Sequence, residues 1–113
     1  MADLNAIKAV RCDIQYYSGD VRSLTFAVTD ENDAAVDLSA KSLVFTIKKR
    51  KSGEVVGSLT SAAGITVAGA SDNEVTLALS FDLEEMDYRH DLYILTEDTI
   101  IYGKFEVTEK VHE

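Results

Sequence analysis

The chain contains no proline and no tryptophan, a single cysteine, and eleven basic residues against twenty acidic ones. Each shortage removes a class of answer. With no proline, no low-complexity tract and no internal repeat, nothing in residues 1–113 reads as a linker, so one domain is expected. One cysteine cannot close an internal disulfide. Cys12 shares strand parity with Val10 and Ile14, which reads as a buried structural thiol, and no histidine adjoins it in sequence to activate it. No apolar run reaches the roughly 20 residues that span a bilayer. The start, MADLNAIKAVRCD, lacks the basic n-region and long apolar h-region of a secretory signal. A formal charge of −9 repels phosphate backbones and anionic lipid alike, so nucleic acid and membranes are not expected partners.

Catalytic groups are equally scarce. Nucleophilic or acid–base catalysis needs a base within hydrogen-bond reach of its target and a third group to orient it. The only histidines are His90 and His112. His112 is the penultimate residue of a charged tail. His90 adjoins Asp91 at a strand start, where neighbours face opposite ways, and reads as a solvent-facing histidine. Asp30, Glu31 and Asp33 miss the register of a calcium-binding EF-hand loop. Glu84, Glu85 and Asp87 read as a solvated acidic face. Gly53, Gly57, Gly64 and Gly69 are spaced as turn punctuation, not as a phosphate-cradling loop. Tyr16, Tyr88 and Tyr93 adjoin core positions, so they read as packing groups and not as a sugar platform. The reading is no enzyme, no cofactor, no metal and no small-molecule substrate.

What the chain does have is alternation in short pieces. Val10, Cys12, Ile14 and Tyr16 line one face of a first strand, closed by Ser18-Gly19-Asp20. Leu24, Phe26 and Val28 line a second, which ends in the acidic loop at Asp30, Glu31 and Asp33. Leu43, Phe45 and Ile47 line a third, and Val55 to Leu59 resumes beyond the turn Ser52-Gly53. Ile65 to Val67 and the alternating Val75, Leu77 and Leu79 follow. Asp82 with Glu85 three residues on reads as a capping box on one helical turn. Leu92 to Thr96 and Ile100 to Val107 close the chain, joined by Glu97-Asp98-Thr99. Seven or eight short strands at this spacing predict an all-β fold, an antiparallel β-sandwich, with a barrel as the competing closure.

Lys48, Lys49, Arg50 and Lys51 form the densest positive charge in the chain. They fall between two alternating segments and carry no interleaved aromatic residue for base stacking, so they read as a hairpin tip. The phrase Val36-Asp37-Leu38-Ser39, followed by Leu43-Val44-Phe45-Thr46-Ile47-Lys48-Lys49, resembles a small immunoglobulin-like β-sandwich of bacteriophage tail and baseplate proteins. It is similar to the N-terminal domain of upper-baseplate proteins in phages of Gram-positive bacteria. Ser18-Gly19-Asp20 with Leu24 to Asp30, Asp91 to Asp98, and Gly103-Lys104-Phe105-Glu106-Val107 extend the resemblance from about Ser18 to Val107. Ala40 stands where the family has glycine. Leu92 and Ile94 stand where its relatives have aromatic residues more often.

The resemblance implies an immunoglobulin-like sandwich and a virion structural protein, located in the virion and in the bacterial host cytoplasm during assembly. Its partners are other virion proteins and further copies of itself, and the chain is either a stand-alone component or the domain alone. A bacterial immunoglobulin-like adhesion or carbohydrate-binding module is the alternative. The candidate interface residues are the basic tip, Lys48, Lys49, Arg50 and Lys51, and the acidic loop, Asp30, Glu31 and Asp33. Closed rings need heterologous contacts, and these patches have opposite charge. The segment Ala6 to Tyr17, carrying Lys8, Arg11 and Asp13, reads as a long edge strand open to a partner.

Overall fold

The computed structural model describes residues 9–95 and 99–108. Nine strands form: β1 (Val10–Arg11), β2 (Ile14–Tyr17), β3 (Val21–Ala27), β4 (Leu43–Lys49), β5 (Val55–Thr60), β6 (Ile65–Ala68), β7 (Glu74–Ser80), β8 (Met86–Ile94) and β9 (Thr99–Thr108). A six-stranded sheet has the order β1-β9-β8-β4-β5, with β2 also on β9; β3, β7 and β6 make the second sheet. Each buries one face because its apolar residues recur with period two. Phe45, Ile47, Leu92 and Phe105 from one sheet meet Val75, Leu77 and Leu79 from the other, all at most 2% exposed.

This is an immunoglobulin-like β-sandwich. β3, β7 and β6 take the places of strands B, E and D, and β9, β8, β4 and β5 those of G, F, C and C′. A tyrosine near the start of the penultimate strand that bonds back to upstream backbone is a hallmark of such domains. Tyr88 does this, its hydroxyl donating to the Glu84 carbonyl at 2.9 Å. Where antibody domains place the second cystine half, two residues on, this chain has His90. Its ring packs 5.5 Å from Phe45 and 6.2 Å from Phe105, centroid to centroid.

The antiparallel expectation holds except at the N-terminal edge, where β1 and β2 run parallel to β9. The first strand is also not continuous. Ile14 and Tyr16 are buried, but Val10 sits uncovered at the sheet edge, 49% exposed, and Cys12 is only half-buried. Leu24 and Phe26 are half-buried against the core, because β3 is itself an edge strand. The helical turn expected at Asp82–Asp87 does not form. A single turn gains too few hydrogen bonds to offset its nucleation cost. Asp82 Oδ1 instead accepts from the Ser18 hydroxyl at 3.1 Å, and Asp87 joins β8 opposite Glu106. That pairing starts β8 at Met86, six residues before the expected strand. The Glu97-Asp98 connection lies outside the described residues.

The turn before Ala40 is set by Asp37, whose Oδ1 accepts from the Ser39 N–H at 2.9 Å and from the Ser39 hydroxyl at 2.7 Å. These bonds hold the Asp37 carboxyl below its ordinary pKa. Ala40 has no positive φ, so the position does not require glycine.

Candidate functional site

The outer face of the six-stranded sheet carries residues that alternate with the core. On β4 these are Val44, Thr46 and Lys48; on β8, Arg89, Asp91 and Tyr93; on β9, Tyr102, Lys104 and Glu106. Register then sets their neighbours. Lys48 pairs with Arg89, and Arg89 pairs with Lys104. Three cations therefore stand at directly paired positions on adjacent strands whose backbones run roughly 5 Å apart. Like charges directly opposite each other destabilise a sheet. No described carboxylate forms an ion pair with any of the three.

This row floors a concavity of about 560 Å³ whose other cations are Arg11 and Arg50. Five of the chain's eleven Lys and Arg residues thus line one hollow, and Asp91 is the one acidic residue among its described lining. The chain as a whole has the opposite excess. Asp91 is engaged sideways by the Thr46 hydroxyl. Arg11 Nε lies 3.3 Å from Asp13 Oδ1, and that oxygen also accepts the Lys104 N–H at 2.9 Å. Chiefly through the Lys104 N–H, and then through Arg11, the Asp13 pKa is lowered.

The expected tip residues divide. Lys48 and Lys49 belong to β4, Lys49 within 3.6 Å of Glu54, while Arg50 and Lys51 occupy the turn. Only Lys48 joins the row; Arg50 reaches the same hollow. Asp30, Glu31 and Asp33 lie at the opposite end of the sandwich, beside Asp72 and Glu74, because β3 ends where β7 begins. Asp30 Oδ1 accepts from the Asn32 and Ala34 N–H groups at 2.8 and 3.0 Å, an Asx-type turn that presents Glu31 and Asp33 outward. Tip and loop are therefore too far apart to meet within one molecule.

His90 is not solvent-facing. It is 3% exposed, because β8 begins earlier than its alternation alone suggested and places His90 mid-strand on the core side. Its Nε2–H donates to the Cys12 carbonyl at 2.5 Å, and Nδ1 is buried with no partner among the described residues. Burial pushes its pKa below the ordinary histidine value. The fold thus brings His90 to residue 12, but to its backbone. Gly103 makes this joint possible, since a Cβ there would stand 2.6 Å from the Cys12 carbonyl oxygen. His112 and Lys8 lie outside the described residues. The edge formed by β1 and β2 is two short pieces, not one long strand.

Sequence reasoning missed Arg89, Lys104 and Arg11 as a group. Each is an isolated cation at an outward strand position, 15 and 78 residues apart along the chain, and only strand order joins them.

No protein-family model and no curated protein matches the chain. Among solved structures it is similar to a strand-swapped dimer of the mouse leukocyte-associated immunoglobulin-like receptor 1 extracellular domain, at 9% identity and a TM-score of 0.46, covering 89% of this chain and 84% of that one. It is also similar to the complex of Dpr1 IG1 with DIP-eta IG1, at 14% identity and TM-score 0.37, covering 92% and 91%. A complex of titin M10 with an obscurin-like 1 Ig domain gives 17% identity and TM-score 0.37, covering 96% and 94%. The scores are below 0.5, and the fold assignment rests on this chain's own strand order and its Tyr88 bond.

Proposed function

We propose that this protein is a non-enzymatic structural module of a bacteriophage or prophage tail or baseplate, working by contacts with virion proteins and with copies of itself. The observation that carries the reading is charge polarity: the basic hollow lies on the outer face of the six-stranded sheet, and the acidic loop lies beyond the end of β3 in the other sheet. Oppositely charged patches on separate surfaces suit heterologous, head-to-tail contacts, the kind that build rings and stacks. The segments that resemble the phage module are structural joints. Gly19 N–H bonds the Phe81 carbonyl at 2.8 Å, Leu38 is buried, and Gly103 admits the Cys12 carbonyl. They support the phage reading only through the sequence likeness. Mass spectrometry of purified virions from a phage or induced prophage carrying the gene is the test. Peptides in stoichiometric ratio to tail proteins are expected; their absence from intact virions overturns the phage reading.

A further inference from the structure

No described carboxylate forms an ion pair with the cation row. Lys48, Arg89 and Lys104 occupy directly paired positions on three adjacent strands, where opposite charges or hydroxyls would stabilise the sheet. Twenty acidic residues are available in the chain, yet among the described residues only Asp91 lines the hollow above them, and Thr46 already binds its carboxylate. A repulsive arrangement inside an otherwise acidic molecule is explained by a ligand that brings the missing negative charge.

From this we infer that the row, flanked by Arg11 and Arg50, is a docking site for a cluster of carboxylates, and that its occupant is the acidic end of a second copy of this chain. That end offers Glu31 and Asp33 on the Asx-turn, with Asp72 on the neighbouring turn. Asp33 and Asp72 both hold positive φ, 63° and 51°, so the backbone at both turns is in the left-handed region. The row is on the outer face of the six-stranded sheet and the acidic end borders the other sheet, so one molecule cannot satisfy itself, and each contact leaves one row and one acidic end to meet further copies. The contact is therefore heterologous and propagates until it closes or is capped. The inference rests on the proposed role in assembly, and it replaces the turn residues Lys49 and Lys51 by the sheet face as the receiving surface.

Two variants test it. One neutralises the row with Lys48→Gln, Arg89→Gln and Lys104→Gln. The other neutralises the acidic end with Glu31→Gln, Asp33→Asn and Asp72→Asn, asparagine being tolerated at positive φ. Analytical ultracentrifugation of the wild type should show concentration-dependent oligomers, weakened at least tenfold between about 20 mM and about 500 mM salt. Each variant alone should be monomeric and fully folded, the row variant with an unchanged or higher melting temperature. An equimolar mixture should form a one-to-one dimer, since each variant keeps the half that the other lacks. A monomeric wild type at high concentration, variants that associate like wild type, or a mixture that stays monomeric overturns the inference. Binding of duplex DNA at micromolar concentration, lost in the row variant, also overturns it by assigning the row to phosphate. A monomeric wild type that is nevertheless present in virions defeats this docking mode alone; absence from virions defeats the phage reading and leaves the docking result standing.

Discussion

The strands β4, β8 and β9 present two faces built on opposite rules. Inward, Phe45, His90 and Phe105 stack ring against ring, fully desolvated and mutually attractive. Outward on the same strands, next to the buried Ile47, His90 and Phe105, Lys48, Arg89 and Lys104 stand in a row that repels itself. A one-residue slip in register would exchange the faces, so alternation fixes both at once. The contrast teaches where selection for stability stops. The inner face is explained by the fold; the outer face is explained only by something outside the molecule.

The largest effect should come from the inner face. Phe45→Ala removes a fully buried ring and should cost about 3–5 kcal/mol in urea melts, a large share of the roughly 5–15 kcal/mol that holds such a domain. A loss below about 1 kcal/mol would place the ring outside the true core.

Gly103→Ala comes next. The new Cβ would meet the Cys12 carbonyl, a backbone atom that cannot rotate away, and separate it from the His90 Nε2–H. A loss on the order of 1–3 kcal/mol is expected. Preserved stability in the same melts would show that β1 and β9 separate without cost.

The pH dependence of stability sharpens the inner-face reading. His90 is held neutral in the fold, with its pKa lowered from 6.5 by burial. Its contribution is therefore present above the unfolded value, about 6.5, and is lost as pH falls through the lower folded value. His90→Gln should flatten that part of the profile. Asp13 and Asp37, whose pKa values are lowered from 3.8, act in a separate and more acidic window. A wild-type profile that stays level from neutral pH down to the carboxylate range would contradict a neutral, buried imidazole.

The strands were legible because their alternation is strong. Leu43, Phe45 and Ile47 were assigned to the core from period two alone, and all three are at most 1% exposed. Val75, Leu77 and Leu79 behave the same way. Alternation alone misplaces His90, because the weakly alternating residues before it, Met86 and Asp87, are drawn into β8 by pairing with β9 and not by their own preference. The helical turn at Asp82 failed for a related reason: Ser18, 64 residues away, claims its carboxylate. The cation row was invisible for the deepest reason. Lys48, Arg89 and Lys104 become neighbours only through strand order, which alternation does not encode. Lys48 stands out only within a sequential run of which Arg50 alone shares its hollow.

The smallest stability change carries the most direct test of the contrast. Arg89→Gln removes the central charge of the row and one source of repulsion on each side. Two quantities are read on this variant: unfolding free energy from urea melts, and association from sedimentation at low salt. The account predicts a gain of about 0.2–1 kcal/mol in stability together with loss of self-association. A variant that loses more than about 1 kcal/mol and still associates like wild type would contradict it, because the row would then be part of what holds the sheet together.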